Sequence, residues 1–280
     1  MNRYSVILKE ERILKGEIKR MNEKYETIDV EVRNKVAYVK FNRPQALNAL
    51  NLVMLKELAH SFQTLSQSEE VSIVVLQGNG TAFSAGGDIK EMLQMAGEEQ
   101  FSTVMDQINE FITTLYCMPK ITIAAIEGPA AGLGFSFALA ADFIICDQYS
   151  KLAMNFIGIG LVPDGGGHFL LQEKIGVHEA KKLIWEGKVL TAHEALELKL
   201  VDEVTANLQE KIANVIEKLQ QKPVKAMVKT KEIYSKINQG KLKETLALEK
   251  QAQWEMRQTK DHQEGIKAFV EKRTPIFTGE

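Results

Sequence analysis

Cysteine is almost missing from this chain. The two present, Cys117 and Cys146, sit among apolar neighbours, with no CxxC spacing and no histidine close by. That excludes a disulfide framework and a thiolate metal site, and it suits a reducing compartment with both thiols packed in the core. His60, His178, His193 and His262 lack metal-ligand spacing, and His168 reads as a surface or interface histidine. Net charge is nearly absent too, at −2 over 280 residues, so no general pull toward nucleic acid or membrane is expected. No apolar run approaches the about 20 residues needed to cross a bilayer. The most apolar stretch, Ala130–Cys146, is broken by glycine, serine and Asp142. GxxxxGK[ST], tandem repeats and low-complexity tracts are all lacking. Residues 1–24 mix Lys and Arg with Glu10, Glu11, Glu17 and Glu23, unlike a secretion signal. They are expected to form a disordered extension, with Met21 a candidate start that N-terminal sequencing would test. The expectation is a cytoplasmic protein.

What is present has a regular order. Ile28–Val32 alternates at period two, Arg33-Asn-Lys35 turns, and Val36–Phe41 returns, which predicts a hairpin closed off at Arg43-Pro44. Leu55, Leu58, Phe62 and Leu65 recur at helical spacing within about 47–65. Val71–Gln77 and Ile121–Glu127 are continuous apolar runs, the pattern of strands buried on both faces. Each feeds a small-residue loop and then a helix, the second helix expected over Phe135–Ala141, with Phe101–Tyr116 helical between them. Phe143–Cys146 reads as one more strand. Thr191-Ala-His-Glu194 is a capping box, and beyond Pro223 only helices are expected. Repeated strand–loop–helix units define an α/β fold.

The two loops carry the chemistry. Loop one is Thr81–Lys90 and loop two is Gly128–Ser136. Backbone N–H groups at a helix start lack intrahelical partners and favour negative charge, and glycine lets a ligand come close. Either loop alone reads as a tight turn. Two of them in one small domain can bring two donors to one oxygen, the arrangement that stabilises an oxyanion.

The runs Asn42–Ala49 (NRPQALNA), Ala82–Lys90 (AFSAGGDIK), Ala125–Gly134 (AIEGPAAGLG), Gly160–Gly167 (GLVPDGGG) and Glu264–Pro275 (EGIKAFVEKRTP) resemble the enoyl-CoA hydratase/isomerase (crotonase) family, in order and from about Glu26 onward. The resemblance implies a crotonase-like spiral of ββα units. An acyl-CoA-binding core is expected over 25–220, and a helical region over 221–280 used to form a homotrimer or a dimer of trimers. It implies an acyl-CoA thioester as substrate, with its carbonyl between the N–H groups of Gly87 and Leu133. Ala85 and Lys90 are implied along the CoA path, Ala46 and Leu47 near the adenosine end, and Phe269 and Lys272 toward the nucleotide. CoA belongs to the substrate, and no cofactor or metal is implied.

The chain departs from the hydratase pattern where it matters most. The family's hydratases resemble one another in carrying two glutamates, at positions that here hold Ser136 and Phe156. Hydration needs one group to activate water and another to deliver a proton, and neither residue can do either. Ser136 reads as a hydroxyl bonded to its own helix or holding a water, and Phe156 as lining an apolar acyl pocket. One acid/base candidate remains, Asp164 in Leu161-Val-Pro-Asp-Gly165. As an N-cap it would have a low pKa; burial among Phe156, Ile159, Leu161 and Val162 would raise it. Its position resembles the catalytic aspartate of the family's isomerase branches. The expected activity is therefore an enoyl-CoA isomerase with Asp164 as proton shuttle. The alternatives are an enoyl-CoA hydratase using Asp164 and a Ser136-held water, a dehalogenase-type enzyme, a non-catalytic acyl-CoA binder, and an RNA-binding family member using the lysines of 222–243. For that last stretch, a solvated helical face is the plainer reading.

Overall fold

The computed structural model describes residues 19–20, 25–94 and 97–280. The expected disordered extension and the candidate start at Met21 fall outside them, apart from Lys19–Arg20, which form β1 and pair antiparallel with the next strand. The hairpin forms as expected: β2 (Ile28–Arg33) and β3 (Val36–Phe41) are antiparallel in full register. Asn34 and Lys35 take positive φ at its tip, the geometry a two-residue hairpin turn requires.

The first long helix, α1 (Leu52–Gln67), starts later than the periodicity suggested. Pro44–Ala46 is a 3-10 turn, Leu47 and Asn48 are left-handed, and the Asn51 side chain caps the helix by accepting the Met54 N–H. Then follow β4 (Ile73–Gly78), α2 (Ile89–Gln94), α3 (Glu98–Cys117), β5 (Ile121–Ile126), β6 (Pro129–Ala131), α4 (Leu133–Leu139), β7 (Phe143–Asp147) and β8 (Lys151–Ala153). The next elements are α5 (Gly167–Glu186, bent at Gly176), β9 (Val189–Thr191), α6 (Ala192–Glu197), β10 (Glu203–Thr205), α7 (Leu208–Gln220), α8 (Val224–Arg257) and α9 (Lys260–Glu271). The Thr191–Glu194 capping box opens α6 with both of its reciprocal bonds.

Among the described residues, the main sheet runs β1-β2-β3-β4-β5-β7-β10, parallel from β3 onward. A smaller sheet orders β6-β8-β9. The parallel strands are buried on both faces, so alternate side chains serve two cores. Ile73, Val75, Ile121, Ile123 and Ile145 pack under Leu208, Ile212, Ile216 and Leu219 of α7. Val74, Leu76, Ala124 and Ile126 face the larger core, shared with α1, α3, α4 and α5. Side chains from α8 (Leu242 and Leu246) enter that core too, so the C-terminal helical region is part of the packed body.

Candidate active site

Loop one leaves the carboxyl end of β4 and loop two that of β5, the end of a parallel sheet where ligand sites form. The loops are stitched together. The Ser84 N–H donates to the Pro129 carbonyl (3.1 Å) and the Ala131 N–H to the Ser84 carbonyl (2.9 Å). Glycine is required here: a Cβ on Gly86, at φ 95°, would lie 2.7 Å from the Ala131 oxygen, and one on Gly134 would meet the Ser84 side chain at 2.7 Å. Asn48, fully buried, braces loop one. Its amide donates to the carbonyls of Asn79 and Ala82, and its own carbonyl accepts the Ser84 hydroxyl.

This stitching frees two donors. The Leu50 N–H bonds the Gly86 carbonyl (2.8 Å), and the Leu50 carbonyl accepts from Asp88 (3.1 Å). In such a parallel bridge the residue between, Gly87, turns its own N–H away from Leu50. Helix α4 starts at Leu133, earlier than expected, and so makes Leu133 its first residue, whose N–H has no intrahelical acceptor. Among the described residues neither N–H is accepted by another group.

Both residues line one cavity, which holds about 510 Å³ of empty space counted out to its mouth. Asp164 is on the same wall. The rest of the lining is mainly apolar, from Leu50 and Leu55 to Met92, Phe101 and Ile108, with Asp88, Glu91, and Gln253 and Arg257 of α8 as its polar members. The Arg257 guanidinium lies over the Phe101 ring and donates to the Met92 carbonyl.

Asp164 is not a helix cap. Helix α5 begins at Gly167 with Gly166 as its cap residue, and Asp164 contributes only a backbone carbonyl, which accepts the Gly167 N–H (3.2 Å). The side chain is half-buried in the cavity wall, with Oδ1 enclosed and without a hydrogen-bond partner. Burial first, and the nearby charge of Glu249 second, push its pKa up to about 8; a bond from its own backbone N–H opposes this.

Ser136 and Phe156 are not in the cavity lining. The Ser136 hydroxyl donates to the Asp164 carbonyl (2.9 Å), neither bonding within its own helix nor standing free for a water. This donation and the close fit of Gly165 against Leu133 seat the Asp164 loop on the first turn of α4. The Phe156 ring packs over Gly132, about 3.6 Å from where a Cβ would stand. It supports loop two and is not part of the lining of the cavity that holds Gly87, Leu133 and Asp164.

The expected CoA residues divide into two groups. Ala46, Leu47 and Ala85 share one edge, joined by the Ala85 N–H to the Leu47 carbonyl (2.9 Å). Lys90, the last residue of loop one and the second of α2, is exposed, and its N–H bonds Asp88 Oδ1; Asp88 also pairs with Arg43. Phe269 and Lys272 are at the end of α9, which packs on the 3-10 turn Ile157–Ile159 through His262 and Gly265. No hydrogen bond among the described residues ties them to the Ala46–Ala85 edge. Within the lysine-rich stretch, Lys229, Lys231 and Lys241 are paired with Glu232, Asp142 and Glu173. Asp142 staples α8 to the sheet, accepting also from the Thr122 N–H and hydroxyl. No group of metal-ligating side chains occurs among the described residues, and none of the described helices is long and apolar enough to cross a membrane.

Sequence reasoning overlooked Glu249, Gln253 and Arg257, all on α8. Nothing local in the sequence marks the carboxylate and the amide, one turn apart, as buried.

Two freed N–H groups, a carboxyl with raised proton affinity and a mainly apolar lining meet in one cavity. Residues 31–280 match the enoyl-CoA hydratase/isomerase family. YhaR of Bacillus subtilis, whose name carries that family label, is 51% identical over 243 residues, covering 86% of this chain and 95% of YhaR. The trans-2-decenoyl-[acyl-carrier-protein] isomerase of Streptococcus mutans is 31% identical over 253 residues, 89% of this chain and 96% of that one. The crystal structure of an enoyl-CoA hydratase from Mycobacterium avium subsp. paratuberculosis superposes with a TM-score of 0.83 at 30% identity, covering 91% of this chain and 100% of that one. The chain belongs to the enoyl-CoA hydratase/isomerase family, whose members act on acyl-CoA thioesters, and it has the crotonase fold.

Proposed function

We propose that this protein is an isomerase that moves the double bond of an unsaturated acyl-CoA, with Asp164 as the only proton carrier. The observation that carries the reading is that Gly87, Leu133 and Asp164 line one cavity while no second carboxylate stands at Ser136 or Phe156. The thioester oxygen accepts the N–H groups of Gly87 and Leu133. The Asp164 carboxylate removes a proton from the acyl carbon beside the double bond, and the electron pair delocalises onto the thioester oxygen as a dienolate. The protonated Asp164 then returns that proton to a different carbon, the carbonyl re-forms, and the double bond has shifted with no net gain or loss of atoms. A pKa of about 8 leaves the carboxyl able both to accept and to give the proton near neutral pH. The reaction needs no metal or redox cofactor. We further propose a cytoplasmic enzyme that assembles as a trimer or dimer of trimers.

The commitment of the Ser136 hydroxyl to the Asp164 carbonyl argues against a hydratase in which Ser136 holds the water. Incubation with 3-enoyl-CoA and with 2-enoyl-CoA separates the two. Interconversion of the enoyl isomers is expected; rapid appearance of 3-hydroxyacyl-CoA would overturn the proposal.

A further inference from the structure

The segment that carries Asp164 has little intrinsic order. Gly165 and Gly166 both take positive φ and Gly167 follows, and glycines lose the most conformational freedom when fixed. The groups that fix this segment come from far along the chain. Glu249 and Gln253 stand one turn apart on α8, and each is almost wholly buried. Glu249 Oε2 accepts the Gly166 N–H (2.8 Å), and its Oε1 accepts the His168 N–H (3.0 Å) and meets His168 Nδ1 (2.8 Å). Gln253 Nε2 donates to the Val162 carbonyl (2.5 Å). One face of α8 therefore grips the segment before Asp164 at Val162 and after it at Gly166 and His168. Gln253 also lines the cavity with Asp164. Apolar residues would anchor a helix here without the cost of burying a carboxylate and an amide, so a simple tether does not account for this chemistry.

We propose that Glu249 and Gln253 are positioning residues of the active site, holding Asp164 at the cavity wall through the backbone on either side of it. The inference rests on Asp164 being the proton carrier. It makes the long helix α8 part of the apparatus that places the proton carrier.

The test is the pH profile of isomerisation for wild type, Glu249→Gln and Gln253→Met, with Asp164→Asn as reference. The other charged groups around the cavity stay unchanged: Arg257 on α8, Asp88 paired with Arg43, and Glu91, which accepts the Leu52 N–H. His168 meets Glu249 itself through its N–H and Nδ1, and loses that carboxylate in Glu249→Gln. Glu249→Gln is expected to move the midpoint of the rising, acid-side limb to lower pH by about half a unit or more. In both variants kcat is expected to fall about tenfold or more while KM changes by less than about threefold, since a misplaced base slows chemistry without weakening thioester binding. A merely structural role would lower thermal stability and leave both the midpoint and kcat unmoved in the folded protein, and that result overturns the proposal. If Glu249→Gln does not fold, Gln253→Met, which keeps the volume and loses one bond, decides on kcat alone. Isomerisation retained by Asp164→Asn would instead refute the proton-carrier reading underneath.

Discussion

Replacing Asp164 with Asn should make the protein more stable and nearly inactive, and the stability gain should depend on pH in a defined way. The folded carboxyl has a pKa of about 8 against 3.8 for the free group. Between those values the unfolded chain is ionised while the folded chain binds a proton. Wild-type stability therefore falls as pH rises through that window, is unaffected below it and levels off above it. At 1.36 kcal/mol per pKa unit, the penalty reaches about 4 kcal/mol at pH 7 as an upper limit. The asparagine side chain of the variant cannot titrate, so the penalty disappears, less about 1–3 kcal/mol for burying an amide with few partners. That deduction is constant with pH. It cancels in the difference between pH 5 and pH 8, where the advantage of the variant should grow by about 3–4 kcal/mol. Urea unfolding of both proteins at a series of pH values measures this directly. A stability difference that does not change with pH, or one that shrinks as pH rises, would refute the claim that burial and Glu249 hold this proton. Turnover in the variant should fall by about 10²–10⁴-fold, the usual contribution of a positioned acid/base.

Other substitutions probe the remaining parts of the site. Leu133→Pro removes one oxyanion donor at a first-helical position that accepts proline; its kcat should drop a further about 10²–10³-fold below that of Leu133→Ala, which keeps the N–H and loses the same packing. Gly134→Ala pushes a methyl into Ser84 and parts the two loops, so the melting temperature and kcat should fall together, with about 1–3 kcal/mol lost in a denaturant titration. Ser136→Ala strips the Asp164 carbonyl of a donor and should cost about 1–3 kcal/mol by the same titration. Turnover in that variant should persist, because the serine holds no catalytic water.

The hairpin, the buried strands and the two glycine loops are legible in the sequence because each is encoded locally, by alternation, apolar runs and small residues. The pattern puts the start of α4 at Phe135, since Gly132 and Gly134 look like loop; the actual start at Leu133 is what exposes the second donor. The strands β9 and β10 escape the sequence reading, being three residues each and too short to show a period. Asp164 is ambiguous in sequence because cap and buried acid predict opposite shifts, and only the placement of Gly166 as cap residue resolves them. Glu249 and Gln253 are invisible for a different reason. Their partners lie more than eighty residues away, and on a helix of alternating charge a buried glutamate reads like its solvated neighbours. Apolarity alone puts Phe156 in the acyl pocket, whereas its ring is spent on Gly132.

The central claim is that one carboxyl beside two backbone donors moves one proton within an acyl thioester. The most direct measurement is exchange of the acidic C–H protons of a panel of acyl-CoAs with deuterated water, followed by mass spectrometry, for the wild type and Asp164→Asn. The account predicts exchange by the wild type that rises with pH toward a midpoint near 8 and is lost in the variant. Equal exchange by both proteins, or none by the wild type on any acyl-CoA, would contradict it.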